Sequence, residues 1–225
     1  MWRVVATMMM LQPTCLAVPI TWVARHEPGF PPELRKGLHL KLVSDASPWK
    51  LCAVLKDAND STIAWTTLTL PFDSAAFQNI RENLGLLLGL LLINAVAKDG
   101  LVVLGKYPTI IWEGDNTSAL SWAESGKVKS LGGQMANLAV VWSQLYGNFN
   151  VDSSIHLAGI HMGDVDGASR DKELTELSPK DFVPVENFPG VRELFSLCNP
   201  TVHLETLEFH EAFQKLHTCL RGVFC

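Results

Sequence analysis

The stretch from residue 84 to 97, Leu-Gly-Leu-Leu-Leu-Gly-Leu-Leu-Leu-Ile-Asn-Ala-Val-Ala, most constrains what this chain can fold into. It is apolar almost all round, so a helix here has no face for water and is expected to be buried against a sheet. It is too short for a membrane span, which needs about 20 apolar residues. The helix is expected to open at Pro71-Phe72-Asp73-Ser74, with Asp73 as its N-cap, and to run to about Ala97. Glu82 is the one acidic residue in its middle, and taken alone it reads as a solvated surface glutamate.

The sheet is expected on both sides of that helix in the chain. Residues 40–55 form an apolar run, a small acidic turn and a second apolar run, which predicts a β-hairpin. Residues 62–70 are threonine-rich and partly alternating, and they predict a third strand after a turn at Asn59-Asp60-Ser61. Residues 109–114 and 151–157 predict two more strands. Helices are expected over 117–124, capped by Asp115 or Asn116, over about 133–146, and from near Asp166. The order β-β-β-α-β-α-α-β-α predicts an α/β fold: a mixed five-stranded sheet, three antiparallel strands then αβ crossovers, with helices on both faces.

The termini are less regular. Residues 4–24 carry no charge, which fits a signal sequence or membrane anchor. Pro13, Pro19 and the Gln12-Pro13-Thr14 step favour a buried helix–turn segment instead. Residues 26–36, with three prolines, read as a linker. Near the end, residues 204–220 have helical spacing, and His203, His210 and His217 recur every seven positions. That spacing suits packing better than metal binding. The expected division is therefore 1–37, an apolar segment and linker; 38–175, the α/β domain; and 176–225, a partly helical extension.

Charge and cysteines narrow the chemistry. The 18 Lys and Arg against 23 Asp and Glu leave a net charge of −5, which argues against tight nucleic-acid binding by the isolated chain. It does not argue against a metal site, where clustered carboxylates contribute to that sign. The five cysteines are scattered without any C-x-x-C spacing, so a disulfide framework and a zinc site are not expected, and a reducing compartment is.

Four acids fall at telling places: Asp45 on the first strand, Glu82 in the buried helix, Asp115 at a strand's C-terminal end and Asp166 at the start of the last helix of the domain. If the first and fourth strands are neighbours, Asp45 and Asp115 lie side by side and Glu82 reaches in from the helix. Gathered carboxylates repel unless cations neutralise them, and hard oxygen ligands suit Mg²⁺ or Mn²⁺. Two such ions about 4 Å apart activate a water and stabilise the leaving oxygen of a phosphodiester.

The residues around these acids carry a resemblance. Val43-Ser44-Asp45-Ala46-Ser47, Ile80-Arg81-Glu82-Asn83-Leu84, Gly114-Asp115-Asn116-Thr117-Ser118-Ala119, and the run from His156-Leu157-Ala158-Gly159 to Val165-Asp166-Gly167-Ala168-Ser169-Arg170 follow in order. Together, residues 41–170 resemble the ribonuclease H domain of retroelement reverse transcriptases. The closing run is the most specific; it resembles His-x-Pro-Gly-x-x-Asn-x-x-Ala-Asp-x-Leu-Ser-Arg, with Ala158 for proline, Met162 for asparagine, and Gly167 and Ala168 smaller than expected at the start of the last helix. Lys50 and Cys52 stand where the family usually has glycines.

The resemblance implies hydrolysis of the RNA strand of an RNA–DNA hybrid, with Asp45, Glu82, Asp115 and Asp166 as catalytic ligands of two Mg²⁺ or Mn²⁺ ions. His156 is the candidate for proton transfer, against a packing or surface role, and His161 is the reserve. Candidate contacts to the hybrid backbone, chosen by position, are Ser44, Ser47, Asn116, Thr117, Lys127 and Lys129. The chain would be a fragment of a polyprotein, with the reverse transcriptase portion as a further partner and the N-terminal run a remnant of the connecting region. It would work in the cytoplasm or nucleus, without a stable membrane partner. The alternative is a degenerate, non-catalytic ribonuclease H-like domain from a decayed element. A secreted protein and a DDE transposase fit less well.

Overall fold

A computed structural model of the protein describes residues 39–71, 77–101, 109–125, 128, 131–148, 150–200 and 206–224. The expected N-terminal segment and linker, the Asp73 cap, Lys127, Lys129 and His203 lie outside these residues.

The opening hairpin forms from β1 (His39–Ala46) and β2 (Lys50–Lys56), antiparallel with Asp45 opposite Cys52. Ser47 closes it: its N–H donates to the Lys50 carbonyl at 2.9 Å, and its hydroxyl accepts the Lys50 N–H at 3.0 Å. β3 (Thr62–Thr69) returns antiparallel to β2. Their turn is built by the Asp57 carboxylate, which accepts the Asn59 and Ser61 N–H groups at 2.8 and 2.9 Å, while Asp60 takes the left-handed φ of 64°. β4 (Thr109–Gly114) joins β1 in parallel, and β5 (Asn150–His156) joins β4 in parallel. The strand order is β3-β2-β1-β4-β5, so the condition that the first and fourth strands be neighbours is met, and β1 is central.

The apolar run lies in α1 (Gln78–Lys98), buried over most of its circumference. One side packs on β1, β2 and β3 and another on α3 (Leu131–Gly147), which explains why no polar face is needed. At 21 residues the whole helix is long and apolar enough to cross a membrane; what sets it apart is that it is enclosed by its own protein. The helix lies very close to β1, and two glycines allow it. A Cβ on Gly89 would meet the Leu42 side chain at 2.3 Å, and one on Gly85 would meet Ser44 Oγ at 3.0 Å.

α2 (Thr117–Ser125) follows β4 and packs between α1 and β5. The opposite face of the sheet is covered more thinly, by α4 (Asp164–Ser169) and a small cluster of Val43, Cys52, Val54, Trp65, Met162, Val165, Ala168 and Leu177. Helices therefore lie on both faces of a mixed five-stranded sheet, the architecture expected from the element order.

The described residues beyond 175 are bound into the same body. Trp65 Nε1–H donates to the Ser178 carbonyl at 2.7 Å, the Val183 N–H donates to the Trp65 carbonyl at 2.9 Å, and Phe182 packs edge-on against the Trp65 ring. That segment covers the free edge of β3, which is otherwise open to pairing. α5 (Val191–Leu197) and α6 (Thr206–Phe224) add Leu194, Phe195, Phe213, Leu216 and Leu220 to the large core. His217 sits at the seam of α3 and α6, against Trp142 and Tyr146.

Candidate active site

Asp45, Glu82 and Asp115 converge: one carboxylate oxygen from each lies within 4.8 Å of the others. Each reaches this point for a separate local reason. Asp45 is on central β1, one residue before the strand ends, and only 2% exposed. Glu82 is on the helix face that carries Gly85 and Gly89 at i+3 and i+7, so the close approach of α1 to β1 also drives Glu82 against the strand. It too is 2% exposed, not the solvated glutamate that its isolated position suggests. Asp115 follows the last residue of β4, beside β1, and is exposed.

The two buried acids are held by neutral groups. Ser169 Oγ–H donates to Asp45 Oδ2 at 2.5 Å. Gln78 Nε2–H donates both to Glu82 Oε1 at 2.5 Å and to the Ala46 carbonyl at 2.7 Å, tying the first turn of α1 to the end of β1. Arg81 Nη2–H donates to Gln78 Oε1 at 2.5 Å and so fixes which way that amide faces. Burial, with the Asp45 and Asp115 charges added, pushes the Glu82 carboxyl up to about 9. Burial also raises Asp45, against the Ser169 hydrogen bond, and Asp115 and Asp166 raise it further. Oxygen-only donors, two of them buried and held by the neutral Ser169 and Gln78, fit a hard divalent cation, whose charge would offset this repulsion.

Asp166 stands apart from the trio. Its Oδ1 accepts from Arg170 Nε at 2.5 Å and its Oδ2 from Lys172 Nζ at 3.1 Å. Burial works the other way, yet these two hydrogen bonds hold its carboxyl below the usual range. Its charge is still felt at Asp45, so it borders the cluster.

His156, the last residue of β5, is exposed, and its Nε2 lies 3.1 Å from the Asp115 carbonyl. A carbonyl only accepts, so in this contact Nε2 carries the proton and His156 ties the end of β5 to the Asp115 backbone. His161 is exposed in the Gly159–His161 turn.

The expected backbone contacts divide. Ser44 and Ser47 are fully buried, which corrects their assignment to the substrate surface. Ser44 Oγ accepts from Trp112 Nε1 at 2.9 Å, and Ser47 closes the hairpin. Asn116 is also a structural residue. Its Oδ1 accepts the Ser118 and Ala119 N–H groups at 3.0 Å each, capping α2, and its Nδ2–H donates to Asn79 Oδ1 at 2.9 Å. Thr117 is exposed beside Asp115 and is free to meet a ligand on position alone. Lys50 pairs with Asp171 Oδ1 at 2.5 Å.

Sequence reasoning missed Gln78, Ser169 and the two helix glycines. Ser169 stood inside the closing motif, and Gln78 stood four residues before Glu82, one helical turn away. Those spacings were the available signals.

No protein-family model matches the chain, and no curated protein matches it. Among solved structures, the chain is similar to ribonuclease H1 from the halophilic archaeon Halobacterium salinarum (TM-score 0.44, 14% identity), over 60% of this chain and 97% of that one. It is similar to LC11-RNase H1 in complex with an RNA/DNA hybrid (TM-score 0.47, 12% identity), over 60% and 95%. It is also similar to the N-terminal RNase H domain of a Mycobacterium tuberculosis protein fused to maltose-binding protein (TM-score 0.43, 15% identity), over 60% and 98%.

Proposed function

We propose that this chain is a retroelement-type ribonuclease H that hydrolyses the RNA strand of RNA–DNA hybrids with Mg²⁺ or Mn²⁺. The observation that carries the reading is the meeting of Asp45, Glu82 and Asp115 from three separate elements at the C-terminal edge of neighbouring parallel strands. Support comes also from the ordered motifs around those acids and from a strand order that puts β1 beside β4.

The chain's own residues divide the work. Asp45 and Glu82 supply ligand oxygens from rigid, buried elements, and Asp115 supplies one from the open side, where substrate arrives. Ser169 and Gln78 orient the buried pair. When bound, a divalent cation there supplies Lewis-acid polarisation and a more acidic water. His156 braces the Asp115 backbone through Nε2, and its Nδ1 is the nitrogen left for proton transfer. Hybrid would be recognised by backbone shape and 2′-hydroxyls, and Thr117 is an exposed candidate to meet it. Under this reading the protein acts in the cytoplasm or nucleus, beside the reverse transcriptase portion of its parent.

The deciding experiment is cleavage of a labelled RNA–DNA hybrid with Mn²⁺ or Mg²⁺, alongside Asp45→Asn and Asp115→Asn. Cleavage that needs the metal and vanishes in both variants is expected; cleavage unchanged in either sinks the assignment. Wild-type protein that gives no Mn²⁺ heat at millimolar metal favours the degenerate, non-catalytic domain instead.

A further inference from the structure

Resting on the metal-site reading above, we propose that Arg170 and Lys172 form an ion-pair lock on Asp166, so that the chain takes one divalent ion at Asp45, Glu82 and Asp115 and admits a second only when the lock opens. Both oxygens of Asp166 are already used, one by Arg170 Nε at 2.5 Å and the other by Lys172 Nζ at 3.1 Å. An ion that drew a ligand from Asp166 would meet a resident positive charge at either oxygen.

The lock is built into the backbone. The Arg170 and Lys172 N–H groups both donate to the Gly167 carbonyl, at 3.1 and 2.9 Å, so the turn that ends α4 aims the two basic side chains back at Asp166. Asp171 between them holds a left-handed φ of 56°, which lets the chain reverse there. Its carboxylate is pinned to β2 by Lys50 at 2.5 Å. Lys50, the first residue of β2, thereby anchors the turn to the sheet. The Ser169 hydroxyl meets Asp45 from the same helix end, so the turn and the metal ligands share one frame. Arg170 also feels the charges of Asp45 and Asp115, and it offsets part of the negative charge that a single ion leaves uncompensated.

The test is Mn²⁺ calorimetry on the full chain, comparing wild type, Asp45→Asn, Asp166→Asn and the double variant Arg170→Gln with Lys172→Gln. Wild type is expected to take one ion tightly, and Asp166→Asn to leave that affinity within about twofold. The double variant is expected to tighten a second ion by about tenfold. Two ions of like affinity in wild type, a first site weakened about tenfold or more in Asp166→Asn, or an unchanged second site in the double variant overturns the lock. Asp166→Asn keeps the side-chain shape, so its result decides the matter even if the double variant does not fold. In each of those failures Asp45→Asn still loses the first ion and the site reading stands. A wild type that binds no ion, or an Asp45→Asn that binds as wild type does, removes both.

Discussion

The two halves of the acidic cluster are built in opposite ways. Asp45 and Glu82 are each 2% exposed, on the central strand and the central helix, with neutral hydrogen-bond partners. Asp115 is exposed past the end of β4, and Asp166 is on a six-residue helix with two basic partners. The buried half is preorganised at an electrostatic cost that the large core carries. The open half is solvent-exposed and costs little, and under the proposed function it is the side that meets substrate. Ligand position comes from the first half and access from the second.

The largest test of that contrast is catalytic. Under the proposed function, Asp45→Asn removes a fixed ligand and is expected to lower hybrid cleavage about a thousandfold, the several kcal/mol that such a metal supplies. Asp166→Asn removes an acid already engaged elsewhere and is expected to lower it by less than about tenfold. Equal losses in a gel-based cleavage assay would erase the distinction between the halves.

The second test is the pH dependence of stability. The Glu82 carboxyl is pushed up to about 9 in the folded protein, against 4.5 ordinarily. Between those values the unfolded chain has released the proton and the folded protein has kept it. Folding therefore binds protons, and stability falls as pH rises through this window, approaching ~1.4 kcal/mol per pH unit. Asp45, also raised, adds to the fall with the same sign. Urea melts from pH 5 to 9 in chelator are expected to show this slope, and Glu82→Gln is expected to reduce it. Saturating Mn²⁺, which binds the ionised acids, is expected to flatten it. A wild type equally stable at both ends means that the buried half is not strained.

How far the chain could be read in advance follows the same division. Alternating and apolar patterns carried the strands and the all-apolar helix, because burial period is a local property of sequence. The strand order depends on long-range pairing, and the sequence offers the β1–β4 contact only as a condition. The positions of Asp45 and Asp115 followed from strand ends. Glu82 could not be placed from its own neighbourhood, since its burial comes from two glycines that bring α1 against β1, a long-range fit with Leu42 and Ser44. Ser44 and Ser47 misled for a related reason. A serine in a short polar motif reads the same whether it faces substrate, accepts from a buried Trp112 or closes a hairpin. The Asp166 pairing was also out of reach, because Lys172 lies beyond the motif and its direction depends on the left-handed turn at Asp171.

The third test breaks the fit beneath the buried half. Gly89→Ala would place a Cβ 2.7 Å from Leu42 Cγ and within 2.4 Å of both its methyl carbons, and Leu42 is fully buried. Overpacking of this kind costs about 1–3 kcal/mol, offset in part by the ~1 kcal/mol that alanine contributes to a helix over glycine. A lower urea midpoint together with weaker Mn²⁺ binding is expected, because α1 carries Glu82. A stable variant with normal metal affinity would show that the close approach is not what positions that acid.

The smallest effect belongs to the open half. Asn116 caps α2 through two backbone N–H groups and links it to Asn79 on α1, one residue after Asp115. Asn116→Ala is expected to cost about 1 kcal/mol in urea unfolding, the usual worth of an N-cap, with an unchanged dependence on denaturant. If Asp115 is an adjustable ligand, Mn²⁺ affinity should move by no more than about twofold. A drop of tenfold or more would mean that the cap holds Asp115 as firmly as Gln78 and Ser169 hold the buried pair. The open half would then be preorganised too, and substrate access would have to come from the loop that follows β5, where Gly159 passes beside the Asp115 carboxylate.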